Sequence, residues 1–234
     1  MRGTRLGGST ARRFGRAPVA AALAAVTAAA VLACADISSP QRTDVYEWRL
    51  FVGGQPISFH WPENRLPVRI WVQDEYDMPA HIAAGAEQWR GAFLYNELRY
   101  TFTDDPEAAD IIISTDQPPP KLSATRLGSA LAPECRGATD LDIPAGDLDV
   151  IRLPIRAYVY PRFEPDAPGF DACMALTATH ELGHALGIFQ HSPDPADIMY
   201  PDPAVAEPSD ADLATMEVLY HSTNTVQVVR GSAQ

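Results

Sequence analysis

The chain has 234 residues, of which 46% are hydrophobic, so it can bury one substantial core and does not need a second. Its formal net charge of −12 argues against nucleic acid as a partner, because phosphate binding requires a basic surface. Solubility alone accounts for the acidity.

The first 34 residues have the composition of an export signal. Five arginines supply their only charges, and an uncharged run rich in alanine follows from Pro18 to Ala33. The run is short and weakly hydrophobic for a membrane-spanning helix, which needs about 20 apolar residues. Removing residues 1–34 takes away five positive charges and no negative one, so the net charge changes from −12 to −17. We predict a signal peptide at 1–34 and an exported, acidic mature protein.

Two processing routes fit the end of this signal. Val31-Leu32-Ala33-Cys34 resembles a bacterial lipobox, which makes Cys34 a lipidation candidate and would leave a membrane-anchored lipoprotein on the extracytoplasmic side. Ala33-Cys34-Ala35 instead fits a site for ordinary signal peptidase, which would release a secreted protein. Contact with a membrane is expected only through an N-terminal lipid anchor.

Cys135 and Cys173 are the cysteines that remain after processing at Cys34. A leftover pair in an oxidising compartment usually forms a disulfide, so this pair is a disulfide candidate, with two buried thiols as the alternative. Their spacing matches no C-x-x-C pattern, which disfavours a cysteine metal site.

Strands and helices are predicted to alternate along one domain at 45–221, which follows a polar tether at 35–44 and precedes a polar, frayed tail at 222–234. The predicted strands are Tyr46–Val52, Ile57–Trp61, Leu66–Val72, Leu98–Phe102, Ala109–Ser114, a short edge strand at Gly128–Ala132, and Val150–Tyr160. The predicted helices are Met78–Tyr95 capped by Asp77, Ala172–Leu186 capped by Asp171, and Asp210–Tyr220 with a capping box of Ser209 and Asp212. Residues 133–149 show no period and are predicted to form a loop.

Residues 179–192, THELGHALGIFQHS, contain three of the six histidines. Residues four apart on a helix lie on the same face, so His180 and His184 can direct a ring nitrogen at one point. Gly187 can turn the chain sharply and bring His191 back toward them. Three neutral histidines would hold a zinc ion and leave a fourth position for water, which is typical of a catalytic site.

Glu181 follows His180 and projects about a hundred degrees round the helix axis, so it can reach beside the metal without binding it. Zinc lowers the pKa of bound water to about 7 and polarises a carbonyl, and Glu181 would act as the general base that takes the proton of this water. We predict one catalytic Zn²⁺ as the cofactor. The remaining histidines are predicted to be surface or core residues: His60, His81 and His221.

The stretch from His180 to His191 fits the H-E-x-x-H-x-x-G-x-x-H signature of the metzincin metallopeptidases. Met199 stands eight residues past His191, where these enzymes carry a methionine turn beneath the zinc. The sequence Met199-Tyr200-Pro201, Ser192 after the third histidine, and a final helix ending in Leu219-Tyr220 resemble the matrixin branch in particular. The resemblance covers roughly residues 65–220.

This resemblance implies an α+β fold, a metzincin-like (zincin) domain with an active-site helix and a C-terminal helix. Its twisted, mostly parallel five-stranded sheet would have one antiparallel edge strand. That edge would bind an extended substrate through backbone hydrogen bonds. Gly128–Ala132 is the candidate for the edge, and Val150–Tyr160 competes for the role.

Three matrixin features do not transfer to this sequence. Residues 35–60 contain no cysteine that could block the zinc, and no histidine for a second, structural zinc occurs between Ser114 and Gly128. Calcium is possible but unsupported. Four aspartates could bind it, but they are better interpreted as part of a solvated acidic loop. These are Asp140, Asp142, Asp147 and Asp149.

We therefore predict a monomeric zinc metalloendopeptidase that hydrolyses peptide bonds of extracytoplasmic proteins, with a protein or peptide as its substrate. The alternative is a catalytically idle metzincin-fold lipoprotein that binds a protein or peptide. Glu181 discriminates between the two, because a binding module has no need of a general base.

Overall fold

The computed structural model describes residues 45–119, 125–129, 135–144 and 146–230, which belong to one compact unit, Thr43–Gln234. The signal peptide, the lipidation candidate Cys34 and the tether lie outside the described residues. Within the described ranges, no helix combines the length and the apolar character that crossing a membrane requires.

Nine strands and three α-helices lie in these ranges. The strands are β1 Leu50–Val52, β2 Gln55–Ile57, β3 Val68–Val72, β4 Tyr100–Phe102, β5 Ile111–Ser114, β6 Thr125–Ser129, β7 Cys135–Asp142, β8 Val150–Pro161 and β9 Gln227–Arg230. The helices are α1 Met78–Arg90, α2 Phe170–Leu186 and α3 Asp210–Tyr220, and Glu63–Arg65 forms a 3-10 turn.

The main sheet has the strand order β4-β3-β5-β8-β7-β6, and β9 pairs with β8. β3, β4, β5 and β8 are parallel to one another, and β9 is parallel to β8. β7 runs antiparallel to both of its neighbours. The predicted α+β fold with a mostly parallel five-stranded sheet is confirmed by the part β4-β3-β5-β8-β7, which β6 and β9 extend.

The antiparallel strand β7 corrects one sequence-based expectation. The prediction that residues 133–149 form a loop is wrong, because Cys135–Asp142 pairs with β8. The buried residues of this strand include Gly137, Ala138 and Thr139. These residues do not alternate between apolar and polar side chains, which is the pattern that identifies a strand in a sequence.

At the antiparallel end of the sheet, the outermost described strand is β6, Thr125–Ser129, which overlaps the predicted edge strand Gly128–Ala132 by two residues. Its pairing with β7 places Ser129 opposite Gly137. Val150–Tyr160, the competing candidate for the edge, lies inside the sheet because β8 pairs with β5 on one side and with β7 on the other.

The helix ends also differ in part from expectation. α1 stops at Arg90, and the side chains of Leu94 and Tyr95 beyond it are 86% and 83% exposed. α2 begins after Gly169, whose φ is +87°, so Asp171 is not its cap but lies in its first turn. The Asp171 carboxylate lies 3.1 Å from Nε2 of His81 on α1.

The C-terminal elements confirm one prediction and correct another. The capping box of α3 is present, with Ser209 Oγ accepting from the Asp212 N–H and Asp212 Oδ2 accepting from the Ser209 N–H. The tail is not frayed throughout, because Gln227–Arg230 forms β9. This strand is held in place by two features. The side chain of Val228 is buried, and Arg230 Nη2 lies 2.8 Å from Asp110 Oδ1.

Two tryptophans fix α2 within the core. The indole of Trp89 on α1 donates to the Thr179 carbonyl at 2.9 Å, and that of Trp61 donates to the Ala185 carbonyl at 3.1 Å. The two helices approach closely at Gly85, where a Cβ would lie 2.8 Å from Thr179 Oγ1. The second half of α2 is therefore buried and held along its length.

The break of α2 at Gly187 gives a test of this packing. Gly187 has a φ of +127°, and a Cβ there would lie 2.2 Å from the Phe59 carbonyl oxygen, whereas Gly169 has a φ of +87° and open space around it. We expect Gly169→Ala to lower the free energy of unfolding by ~1 kcal/mol through backbone strain alone. Gly187→Ala should lower the free energy of unfolding by about 1–3 kcal/mol more than Gly169→Ala does, because it also overpacks the core. Urea unfolding of the two variants measures the difference, and equal losses would contradict the account.

Candidate metal centre

The structure brings the three motif histidines together. His180 and His184 lie one turn apart on α2, and His191 follows in the loop after the helix. The ring centroids are 4.8 Å apart for His180 and His184, 5.3 Å for His180 and His191, and 5.0 Å for His184 and His191. One nitrogen from each ring lies within 4.8 Å of the other two.

The turn at Gly187 makes this convergence possible. The Gly187 N–H donates to the His184 carbonyl, and the Ile188 N–H donates to the Gly183 carbonyl, both at 3.1 Å. The chain therefore leaves the helix at once and reverses, as the positive φ of Gly187 allows. The 2.8 Å bond from the Phe189 N–H to the Trp48 carbonyl then fixes the segment that leads to His191.

Two backbone carbonyls orient the helix histidines. His180 Nδ1 lies 2.6 Å from the Ile198 carbonyl oxygen, and His184 Nδ1 lies 2.6 Å from that of Ile188. Because a carbonyl oxygen only accepts, each Nδ1 must carry the hydrogen, and each Nε2 then presents a lone pair. A hydrogen bond from the ring nitrogen that does not bind the metal is typical of metal-ligating histidines.

The three Nε2 atoms show that the site fits a metal ion. Those of His180, His184 and His191 are buried, and none has a hydrogen-bond partner among the described residues. Buried polar atoms without partners are costly, so a group that satisfies all three at once is expected here. Three imidazole nitrogens facing one point are the donor set that zinc prefers in catalytic sites.

The histidines are held in the neutral form that metal binding needs. Burial lowers the pKa of His180 to about 3. Burial, followed by the neighbouring imidazoles His180 and His191, places the pKa of His184 well below its usual value, and burial also lowers that of His191. Protonation therefore competes weakly with a metal ion at neutral pH.

Met199 lies beneath this centre. It is fully buried, and a Cβ on Gly183 would come within 2.5 Å of its sulfur and 2.7 Å of the Trp89 ring. The sulfur is thus packed against α2 in the space that Gly183 leaves open. Met199 therefore supports the helix that carries the first two histidines.

A buried carboxylate holds the turn that contains Met199. Asp212 of α3 accepts hydrogen bonds from the N–H of Ile198 at 2.8 Å, the N–H of Ser209 at 2.9 Å and the hydroxyl of Tyr46 at 2.6 Å. The Met199 N–H lies 3.4 Å from the same carboxylate. Because the Ile198 carbonyl orients His180, Asp212 supports the position of the His180 ring through the backbone of Ile198.

Glu181 lies beside the histidines and against β7. The side chain is fully buried, and the Thr139 hydroxyl donates to its Oε2 at 2.7 Å. A Cβ on Gly137 would lie 2.1 Å from its Oε1. Sequence reasoning missed both β7 residues, because nothing in residues 133–149 marked a strand.

The other residues singled out in the sequence lie elsewhere. Among the described residues, only the histidine triad forms a group of three or more potential metal ligands. The calcium prediction stays untested, and strand pairing places Asp140 opposite Arg156 and Asp142 opposite Arg152. The disulfide stays a prediction because the side chain of Cys135 lies outside the described part of the chain.

The three histidines outside the motif do not reach the triad. His81 lies on α1 with its Nε2 3.1 Å from the Asp171 carboxylate, and Nε2 of His60 contacts the Ser222 carbonyl. His221 follows α3 with an exposed side chain. All three are therefore surface or core residues.

The buried imidazoles predict that the metal-free protein is sensitive to acid. An unfolded histidine titrates near pH 6.5, whereas burial lowers the pKa of His180 to about 3 and that of His184 as well. Between these values the unfolded chain binds more protons, so stability falls as the pH is lowered from about 7 to 4. The urea concentration at the unfolding midpoint of chelator-treated protein should therefore decrease over the same pH range. His184→Gln should flatten it, and an equally steep fall in that variant would contradict the prediction.

Comparison with known proteins identifies a family for this chain. The sequence profile of the matrixin family matches residues 87–221, more than half of the chain. No curated protein gives a significant match. High choriolytic enzyme 1, a hatching enzyme zinc-protease from Oryzias latipes (medaka fish), is a similar solved structure at 17% identity and a TM-score of 0.35, over 71% of this chain and 95% of that one. From the profile match, the chain belongs to the matrixin family of metallopeptidases.

Proposed function

We propose that the protein is a zinc-dependent endopeptidase in which Glu181 is the general base. The observation that carries the proposal is the convergence of three buried Nε2 atoms without other partners, next to a buried carboxylate. A site that only stored a metal would have no use for the carboxylate. Membership of the matrixin family supports the same assignment.

The chemistry of the side chains assigns different roles to the histidines and to Glu181. His180, His184 and His191 would hold the zinc ion, which when bound acts as a Lewis acid for water and for a peptide carbonyl. Glu181 would accept the proton of the attacking water and return it to the leaving amine. The burial of its carboxylate beneath β7 keeps bulk water from competing for this proton.

The substrate would lie along the outer edge of the sheet. Glu181 contacts β7, and β6 is the strand beside it on the open side of the sheet as described. An extended peptide could add to this edge of the sheet through backbone hydrogen bonds. A protein or peptide is therefore the proposed partner.

We further propose that the protein acts outside the cytoplasm. The basic, then apolar, composition of residues 1–34 supports export, and the acidity of the remaining chain is compatible with it. Whether Cys34 carries a lipid or is removed decides between an anchored and a secreted enzyme. Metabolic labelling with a fatty acid, compared between wild type and Cys34→Ala, distinguishes the two.

Replacement of the general base tests the reaction. Glu181→Gln keeps the shape of the side chain and removes the proton acceptor, so we expect kcat on casein or a peptide library to fall about 10²- to 10⁴-fold. Zinc content should stay at one ion per chain, because Glu181 is not a ligand. Equal cleavage by the variant and the wild type would refute the mechanism. A zinc-loaded wild type that binds peptides without cleaving them would favour the binding module.

Removal of a ligand tests the metal site. We expect His191→Ala to lower the zinc content of the purified protein well below one ion per chain and to abolish cleavage, because only two nitrogens remain. His221→Ala is the matched control, since His221 is exposed at the end of α3. Metal analysis together with a cleavage assay provides the measurement. Full zinc retention in His191→Ala would remove the assigned ligand set.

A further inference from the structure

We infer that Thr139 is a positioning residue for Glu181, and that Gly137 provides the space in which the positioned carboxylate lies. This inference rests on the proposed function, because it assigns a role relative to the general base. Among the described residues, both hydrogen-bond contacts of the Thr139 hydroxyl are with Glu181, so its role is assigned through Glu181.

The hydrogen bond from Thr139 is the first observation. Thr139 is fully buried, and its Oγ1 lies 2.7 Å from Glu181 Oε2 and 3.3 Å from the Glu181 carbonyl oxygen. A hydroxyl has one hydrogen to donate, and the shorter contact directs it to the carboxylate. A bond from a hydroxyl to an ionised oxygen in a buried place is stronger than one between neutral groups.

Gly137 supplies the second observation. It lies two residues before Thr139, so both project from the same face of β7. A Cβ on Gly137 would lie 2.1 Å from Oε1, 2.5 Å from Cγ and 2.6 Å from Cδ of Glu181. No side chain fits there while the carboxylate keeps its place. The glycine leaves room for the carboxylate, and the threonine hydroxyl holds it there.

The strand that carries both residues is firmly placed. β7 pairs with β8 from Cys135 opposite Pro161 to Asp140 opposite Arg156, and Thr139 lies opposite Ala157. Threonine is β-branched and has restricted freedom at χ1, so the position of its hydroxyl follows from that of the strand. Catalytic groups must be held within about 0.5 Å of the productive geometry by such supports.

The alternative is that Thr139 only packs β7 against α2. Thr139→Val separates the two roles, because valine keeps the shape and removes the donor. Thr139→Ser keeps the donor and should rescue the function. Thr177→Val is the matched control, since the buried hydroxyl of Thr177 lies on α2 but donates to the Cys173 carbonyl at 2.8 Å.

The experiment measures kcat, KM and zinc content for the zinc-loaded wild type and the three variants. We expect Thr139→Val to lower kcat about 10- to 100-fold, as a small misplacement of a catalytic group does, with KM and zinc content unchanged. The kcat values of Thr139→Ser and Thr177→Val should stay within about threefold of the wild-type value. Wild-type kcat in Thr139→Val overturns the inference. If that variant does not fold, Thr139→Ala replaces it with the same expectation.

Crystal structures of the metal-free wild type and variants provide a readout that does not depend on activity. The Glu181 carboxylate should be ordered against β7 in the wild type and in Thr139→Ser, and displaced or disordered in Thr139→Val. An unmoved carboxylate in Thr139→Val contradicts the positioning role. If the wild type shows no peptidase activity, the proposed function fails on its own, and these structures still decide where the carboxylate is held.

Discussion

The orientation of two imidazole rings by backbone carbonyls is the interaction on which the centre depends. The Nδ1 hydrogens of His180 and His184 point to the carbonyls of Ile198 and Ile188, respectively, which leaves both Nε2 lone pairs facing the same point. One carbonyl belongs to the turn that ends α2 and the other to the turn that contains Met199. The loops that follow α2 therefore also support the proposed metal ligands. Asp212 extends this support, because it binds the N–H of the residue whose carbonyl orients His180.

The sheet positions the proposed general base, just as the loops position the histidines. Glu181 projects from the same helix as two histidines, yet the contacts that place its carboxylate come from β7, a strand far from it in sequence. The helix thus carries the chemical groups, while two separate parts of the fold orient them. Burial keeps the imidazoles neutral and water away from the carboxylate, so the interior of the domain is part of the site.

The clustering of the three histidines could be predicted from the sequence, because their geometry is local. A helix places residues four apart on one face, and a glycine at its end allows the reversal that returns His191. β7 could not be predicted, because Gly137, Ala138 and Thr139 have no alternating pattern, and its place between β6 and β8 depends on long-range pairing. The start of α2 was missed for a related reason: Asp171 has the chemistry of a cap, but it contacts His81, and Gly169 makes the turn into the helix. Strand β9 was missed because its position depends on contacts with β8 and Asp110 that no local pattern reveals.

X-ray absorption at the zinc edge of the purified protein tests the central claim most directly, because it reports the atoms around the metal in solution. The account predicts one zinc ion bound by three imidazole nitrogens at about 2.0–2.1 Å with one further light atom from solvent, the coordination of an open catalytic site. A spectrum that required sulfur ligands or fewer than three imidazoles would contradict it. So would a protein that binds no zinc while folded, because the three buried nitrogens would then have to be satisfied in another way.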